Sequence, residues 1–278
     1  MKLKLATAIL PLFFSFYSIG QDYSLLSGAR SEGLAHASVS LLDAFSTFHN
    51  PSLLAWNDEN WVGLSGRNNF SVSTMNSAYG SLAFQAGSNG NAGINFQYNG
   101  NSGFYDVRAG GYFAKGFGEV FAASISLNLY QHQIKGYDAS FAFTSDLGLT
   151  ANLDKLALGL YWGNLNNGQY NGTFDEDIAN YIRFGGTYYF TDEFLIATEI
   201  MQDIGGPFGF RLGMEYEIEK VIAIRGGYGQ IDVSINGRRS QTINGGASIY
   251  LNEWSIDLAG SWHQTLGFSP HVGATYRW

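Results

Sequence analysis

From Asn60 to Trp278 the chain alternates in polarity, residue by residue, in short segments separated by turn residues. In 207–218, Phe208, Phe210, Leu212, Met214, Tyr216 and Ile218 face one way, while Gly209, Arg211, Gly213, Glu215 and Glu217 face the other. In 253–263, Trp254, Ile256, Leu258 and Trp262 oppose Ser255, Asp257, Ala259, Ser261 and His263. In 180–190, Ile182, Phe184, Tyr188 and Phe190 oppose Arg183, Gly185 and Thr187. A period of two is the strand signal. Fourteen such segments are predicted: 60–66, 77–87, 91–99, 104–115, 119–132, 141–152, 155–163, 180–190, 193–202, 207–218, 220–229, 241–251, 253–263 and 269–278. Their lengths suit tilted membrane strands, which need about 9–11 residues.

The connections carry a second regularity. Every other one is tight: 87–91, 116–119, 153–155, 191–193, 218–220 and 251–253. The alternate set includes the longer 67–76, 134–140, 164–179 and 230–240, beside the short 99–103, 204–207 and 265–268. Outer-membrane barrels have short periplasmic turns and longer outside loops. That phase predicts both chain ends on the periplasmic side. A large β-sandwich has no reason to obey it. The expected fold class is therefore all-β, a transmembrane outer-membrane β-barrel of about 14 antiparallel strands over residues 60–278.

Composition narrows the alternatives. Charged residues are 14% of the chain, against about 25% in a typical soluble domain, yet mean hydropathy is −0.06. Beyond residue 20 there is no apolar run of about 18 residues, the least that reads as a membrane-spanning helix. Aromatics at 16% and only 4 Pro exclude a disordered chain. The 36 Gly are scattered without a three-residue period, which excludes collagen. Two opposed faces on each strand explain the near-zero average.

Residues 1–20 read as a secretory signal peptide. Lys2 and Lys4 precede a mostly apolar stretch from Leu5 to Ile19, and Ser18 and Gly20 stand at −3 and −1 of a cut before Gln21. Without those two lysines the chain keeps 13 basic and 23 acidic residues. That balance argues against a nucleic-acid partner. The absence of Cys removes thiolate and Cys-zinc chemistry.

The last strand, His271-Val272-Gly273-Ala274-Thr275-Tyr276-Arg277-Trp278, has a Gly, alternating aromatics and an aromatic final residue. It is similar to the C-terminal signal read by the barrel assembly machinery, with Gly273, Tyr276 and Trp278 as its key positions. Tyr276 and Trp278 fall on the lipid-side phase, where an aromatic girdle meets the headgroups of outer-membrane lipid.

Residues 21–59 do not alternate and are too apolar for a solvated tail. They are expected to pack inside the barrel or across its periplasmic mouth as a hatch. Asp43 suits the cap of one short helical turn, and Asn50-Pro51 starts another. Gly28-Ala29-Arg30, Gly33-Leu34, Ala37 and Asn50-Pro51-Ser52-Leu53-Leu54 resemble the N-terminal signature of the PorV/PorQ family, within the wider FadL-like group of fourteen-stranded outer-membrane barrels. The chain departs from that signature at Ala35-His36, where Gly is usual, and at Ser52, where Ala is usual. The resemblance implies Gly28, Ala29, Arg30, Gly33, Asn50 and Pro51 as hatch positions. It implies one of two roles. One is an accessory or attachment component of type IX protein secretion in Bacteroidota, with secretion components as partners. The other is a FadL-like channel for a hydrophobic small molecule, with a mobile hatch and a gap in the wall.

Charged residues on the inward phase include Asp106, Arg108, Asp146, Arg183, Glu199, Arg211, Glu215, Glu217, Arg225 and Asp257. They read either as a polar channel and hatch dock or as ion pairs that plug a small lumen. A lumen packed with Arg–carboxylate pairs and an unbroken wall would count against a channel. Gly pairs at 110–111, 185–186, 205–206, 226–227 and 245–246 mark bends, gaps or simply room in a crowded wall. The five His (36, 49, 132, 263, 271) have no zinc-binding spacing, although His263 and His271 share a phase on neighbouring strands. Asp175-Glu176-Asp177 reads as a solvated acidic loop or a Ca²⁺ ligand set. No cofactor motif and no Gly-x-Ser-x-Gly elbow is present. The expectation is a protein without catalytic, metal or cofactor residues. Some outer-membrane barrels are hydrolases with catalytic groups spread over several strands, but nothing in the sequence recommends that reading.

Overall fold

The structure, a computed structural model, describes residues 27–278 apart from 88–89, 172–176, 205, 207 and 234–237, with backbone alone at 232–233 and 238–239. The signal peptide expected at 1–20 and the start of the hatch lie outside the described residues. Fourteen antiparallel strands close into one barrel in sequence order, with the first strand paired to the last. They are β1 (Trp61–Asn68), β2 (Asn76–Gln85), β3 (Asn91–Gly100), β4 (Phe104–Phe117), β5 (Phe121–Ile134), β6 (Ser140–Leu153) and β7 (Leu156–Gly163). The second half is β8 (Tyr181–Tyr189), β9 (Phe194–Asp203), β10 (Phe208–Ile218), β11 (Ile222–Val233), β12 (Arg238–Leu251), β13 (Trp254–His263) and β14 (Gly267–Arg277). Closure leaves no edge strand, as a lipid environment demands.

Every predicted segment is a strand. The main departure is between β11 and β12, where the expected loop 230–240 shrinks because residues 230–233 and 238–240 continue the ladder to Val233↔Arg238. Backbone pairing needs no apolar side chain, so the polar run Arg238-Arg239-Ser240 hid the start of β12. At the end of the barrel that holds Trp61 and Arg277, the connections are the tight set. Asp154, Glu219, Lys220 and Asn252 take positive φ there, as tight hairpin turns require. The opposite end, here the loop end, carries the longest connection, between Gly163 and Tyr181.

Alternation sorts the side chains. Leu64, Ile94, Phe113, Leu127, Ile243 and Leu258 are exposed on the outer face. Ser81, Asn95, Asn128, Thr144, Arg183 and Glu199 are buried on the inner face. Tyr276 lies outward at the chain-end rim, its ring 4.7 Å from Trp254 and stacked 5.7 Å from Trp278. Gly273 faces inward, where an added Cβ would approach Ala29.

Residues 27–56 fill the lumen. They form a short helix α1 (Ala29–Gly33), a second helix α2 (Ser46–His49) and a 3₁₀ helix, Pro51–Trp56. Asp43 does not cap α2 itself; its Oδ1 accepts the Phe45 N–H at 2.8 Å, just before that helix. Asn50 does cap the 3₁₀ helix, accepting from Ser52 N, with Pro51 at its start. Gly28 turns the chain into α1 at φ 89°, a conformation that suits Gly, and a Cβ there would meet Phe45.

Candidate functional site

The candidate site is the contact between this hatch and the inner wall. Four small apolar clusters tie the two together. Leu34 and Leu41 meet Leu195; Val39 meets Tyr161 and Tyr181; Phe45 and Phe48 meet Tyr79; Leu54 meets Tyr112. The wall makes room for backbone at two paired glycine seats. Gly159 and Gly185 are opposed on β7 and β8, and Val39 sits on both. Gly213 and Gly227 are opposed on β10 and β11, where added Cβ atoms would lie 2.7 Å and 2.6 Å from Leu34 and Ala35. Gly33 in turn packs on Gly246 and the Arg225 side chain. Of the predicted Gly pairs, 185–186, 226–227 and 245–246 each give their inward member to this purpose.

Polar contacts then fix the register of the hatch. Glu199 is fully buried and is the centre of the first network. It accepts from Arg183 Nε at 2.7 Å and Nη2 at 2.8 Å, and from Arg211 Nη1 at 2.6 Å. It also accepts the backbone N–H groups of Ser38 at 3.0 Å and Val39 at 2.9 Å. Arg183 and Arg211 reach the carbonyls of His49 and His36. The wall thus reads hatch backbone, through a carboxylate that two guanidinium groups keep charged. A buried carboxylate with this many donors is satisfied, and its loss would strip Arg183 and Arg211 of the charge they share.

The second network joins Arg30 to Glu215 in a bidentate pair at 2.7 and 2.9 Å. Arg225 pairs with Glu215 and with Asp257, and Ser248 bridges Arg225 to Asp257. Arg30 also donates to Leu42 O at 2.9 Å. A third cluster was not legible as such in the sequence. Glu32 of α1, wholly buried, meets His36 at 3.0 Å, Arg67 at 3.4 Å and His271 at 3.4 Å. Burial opposes the charge on Glu32, but His36 and Arg67 outweigh it and hold the carboxyl well below its usual range. Burial and the nearby Arg183 push His49 well below the usual imidazole range, so it is neutral.

Asn50 fastens the far end of the hatch. Its Nδ2 donates to Val39 O at 2.9 Å and Leu149 O at 3.1 Å, and Ser52 Oγ lies 2.6 Å from Thr150 Oγ1. The signature positions Arg30, Gly33 and Asn50 therefore all meet the wall, each at a different place. Glu217 is set apart from the networks, half-buried at the chain-end mouth. His263 and His271 both face inward but do not pair, since His271 goes to Glu32 and His263 to Ser240. Among the described residues no group of His, Asp and Glu could hold a metal. Asp177 accepts from Gln169, and Asp175 and Glu176 lie outside the described residues.

Two cavities open at the chain-end mouth. One of about 630 Å³ is lined by Arg30, Asp43, Phe45, Trp61, Tyr250 and Arg277. The other, about 520 Å³, is lined by Leu42, Leu53, Trp56, Thr150 and Tyr189. On the other side of α1 a smaller polar chamber of about 120 Å³ touches Glu32, Arg67 and Arg211. Between these spaces the hatch and its ion pairs block the lumen. Among the described residues each strand pairs with both neighbours, but the β6–β7 ladder stops at Leu147↔Trp162, and residues 140–146 meet the 164–171 connection instead. The geometry is that of a closed barrel with a docked, non-covalent plug.

No family model and no curated protein matches the sequence. Solved structures do. A FadL homologue of Pseudomonas aeruginosa superposes with a TM-score of 0.65 at 10% identity, over 90% of this chain and 97% of that one. The fold is that of the FadL-like outer-membrane barrels. The toluene transporter TodX of P. putida superposes at a TM-score of 0.62 and 13% identity, covering 90% of this chain and 98% of its own. The toluene transporter TbuX of Ralstonia pickettii gives 0.62 at 11% identity, over 92% and 98%. These matches span about nine-tenths of this chain, at an identity that speaks for fold alone.

Proposed function

We propose that this barrel passes a hydrophobic small molecule across the bacterial outer membrane and that residues 27–56 are its gate, closed in the conformation described. The observation that carries the reading is the way the hatch is held. Among the described residues it shares no β-ladder with the wall and is fixed by side-chain contacts, above all Glu199 to the Ser38 and Val39 N–H groups and Arg30 to Glu215. Such contacts can be exchanged for water without unzipping a strand. The FadL-like neighbours, two of them named as toluene transporters, support a hydrophobic cargo. In this reading both chain ends are periplasmic and the long connections face outward. The role needs no catalysis and no cofactor. The test is uptake of radiolabelled toluene by cells that express the chain or lack it. Equal uptake in the two strains removes the reading.

A second reading, an accessory component of type IX secretion like the PorV/PorQ proteins, draws on a different observation. The lumen, filled by ion pairs such as Arg183–Glu199 and Arg225–Glu215, offers no apolar route as it stands, and a docking role needs none. Purification from the native membrane distinguishes the two: secretion components that co-purify favour this role, and their absence removes its support.

A further inference from the structure

Passage needs no chemistry, yet the loop end of the lumen holds an arrangement suited to it. Register places Asp106 on β4 opposite His132 on β5, and His132 opposite Ser140 on β6. All three occupy the inward phase, so carboxylate, imidazole and hydroxyl stand in one transverse row on three adjacent strands. His132 Nδ1 lies 2.7 Å from Asp106 Oδ1. That bond keeps the proton on Nδ1 and leaves the lone pair on Nε2. Nε2 is buried and has no hydrogen-bond partner. The rings of Phe104 at 5.1 Å and Tyr170 at 5.7 Å hem the imidazole in. Directly opposed residues of an antiparallel pair have Cβ atoms about 4.5–5.5 Å apart. Rotation about one bond can therefore bring Ser140 Oγ toward Nε2, and such contacts commonly tighten only when substrate binds. The partly exposed Asp106 side chain marks the approach from the loop end.

A Ser–His contact elsewhere on the wall shows what sets this row apart. Ser240 Oγ lies 2.7 Å from His263 Nε2, but His263 Nδ1 accepts the N–H groups of Thr265 and Leu266. Its proton is therefore on Nε2, and it can take none from Ser240. His132 has the opposite tautomer.

We propose that Ser140 and His132 are catalytic residues, positioned by Asp106, that hydrolyse a carboxylic ester entering from the loop end. Ser140 Oγ attacks the ester carbonyl carbon while its proton passes to His132 Nε2. The tetrahedral adduct collapses, the C–O bond to the alcohol breaks, and His132 returns the proton to the leaving oxygen. Water then attacks the Ser140 acyl ester, gives its proton to Nε2, and releases the acid with the serine hydroxyl restored. No oxidant, metal or cofactor enters the balance.

The test uses the full-length barrel folded in detergent, with heat-modifiable electrophoretic migration as the measure of folding. A fluorophosphonate probe is expected to label Ser140, located by peptide mass spectrometry, and p-nitrophenyl esters of graded chain length are expected to be turned over. S140A and H132A should lose labelling and turnover. D106N should lower kcat by about 10⁴-fold, the loss seen when the equivalent carboxylate becomes an amide in a serine protease. D106E should restore part of kcat with KM unchanged, a rescue that a merely structural Asp106 would not show. A folded wild-type barrel unlabelled at Ser140, or S140A turning over esters at the wild-type rate, overturns the assignment. Neither result bears on whether the hatch gates passage.

Discussion

Glu199 offers the sharpest perturbation of the gate. Its carboxylate accepts two hatch N–H groups, from Ser38 and Val39, while Arg183 and Arg211 hold it charged. Hydrogen bonds to a charged group contribute about 1.5–3 kcal/mol each, so the pair contributes at least about 3 kcal/mol to docking. E199Q keeps the volume and can keep one neutral bond of about 1 kcal/mol. The docked state should therefore weaken by about 2 kcal/mol, or about 30-fold in the opening equilibrium at 1.36 kcal/mol per tenfold. The chain has no Cys, so S38C introduces a single thiol at a fully buried position. Maleimide can reach that thiol only when the hatch leaves its seat, so its rate reports opening. Alkylation of S38C/E199Q should run about 30 times faster than S38C alone, with both barrels still heat-modifiable. Equal rates in two folded barrels would refute the idea that Glu199 holds the gate.

Other consequences follow from the same contacts. G227V would drive a side chain into Leu34 and Ala35, where even a Cβ lies 2.6 Å from backbone; overpacking of about 1–3 kcal/mol should raise S38C alkylation at least several-fold, while G226V, facing open space outside, should not. Burial raises the Asp43 carboxyl to about 6 in spite of Arg30. A raised carboxyl pKa means that docking takes up a proton: its contribution is full below the ordinary value of 3.8 and is lost as pH rises through about 6. The S38C alkylation rate, divided at each pH by that of S38C/D43N, should rise across this window, and a flat ratio contradicts it. W278A removes the ring stacked on Tyr276 at the chain-end rim; the fraction of folded, heat-modifiable barrel in the outer membrane should fall, and unchanged assembly would count against the terminal strand as an assembly signal.

The wall was legible because its signal is local. A period of two needs only neighbours in sequence, and tight turns announce themselves, so strands such as β10 and β13 could be placed to within a residue or two. Inward charges such as Arg183 and Glu199 followed from phase alone. What phase cannot supply is height along the barrel and partner across it. His271 and His263 share a face, but register sends one to Glu32 and the other to Ser240. The hatch was legible as a segment that fails to alternate, with a helical start at Asn50-Pro51, but not by its partners. Its helices are too short to show a period, and its partners are remote: Glu32 and His271 are 239 positions apart. The glycine seats at Gly159–Gly185 and Gly213–Gly227 were invisible for the same reason, since each is a pair only across a strand boundary. The Asp106–His132–Ser140 row likewise exists only once β4, β5 and β6 are in register.

If the hatch is the gate, it must leave its seat for a solute to pass. Ser40 Oγ on the hatch lies 2.9 Å from Thr187 Oγ1 on β8, so S40C/T187C places two thiols in bridging reach in a chain with no others. The measurement is uptake of radiolabelled toluene into proteoliposomes carrying this variant, oxidised and then reduced. No passage is expected while the hatch is locked, and reductant should restore it. Passage at the same rate in the locked and reduced states would contradict it.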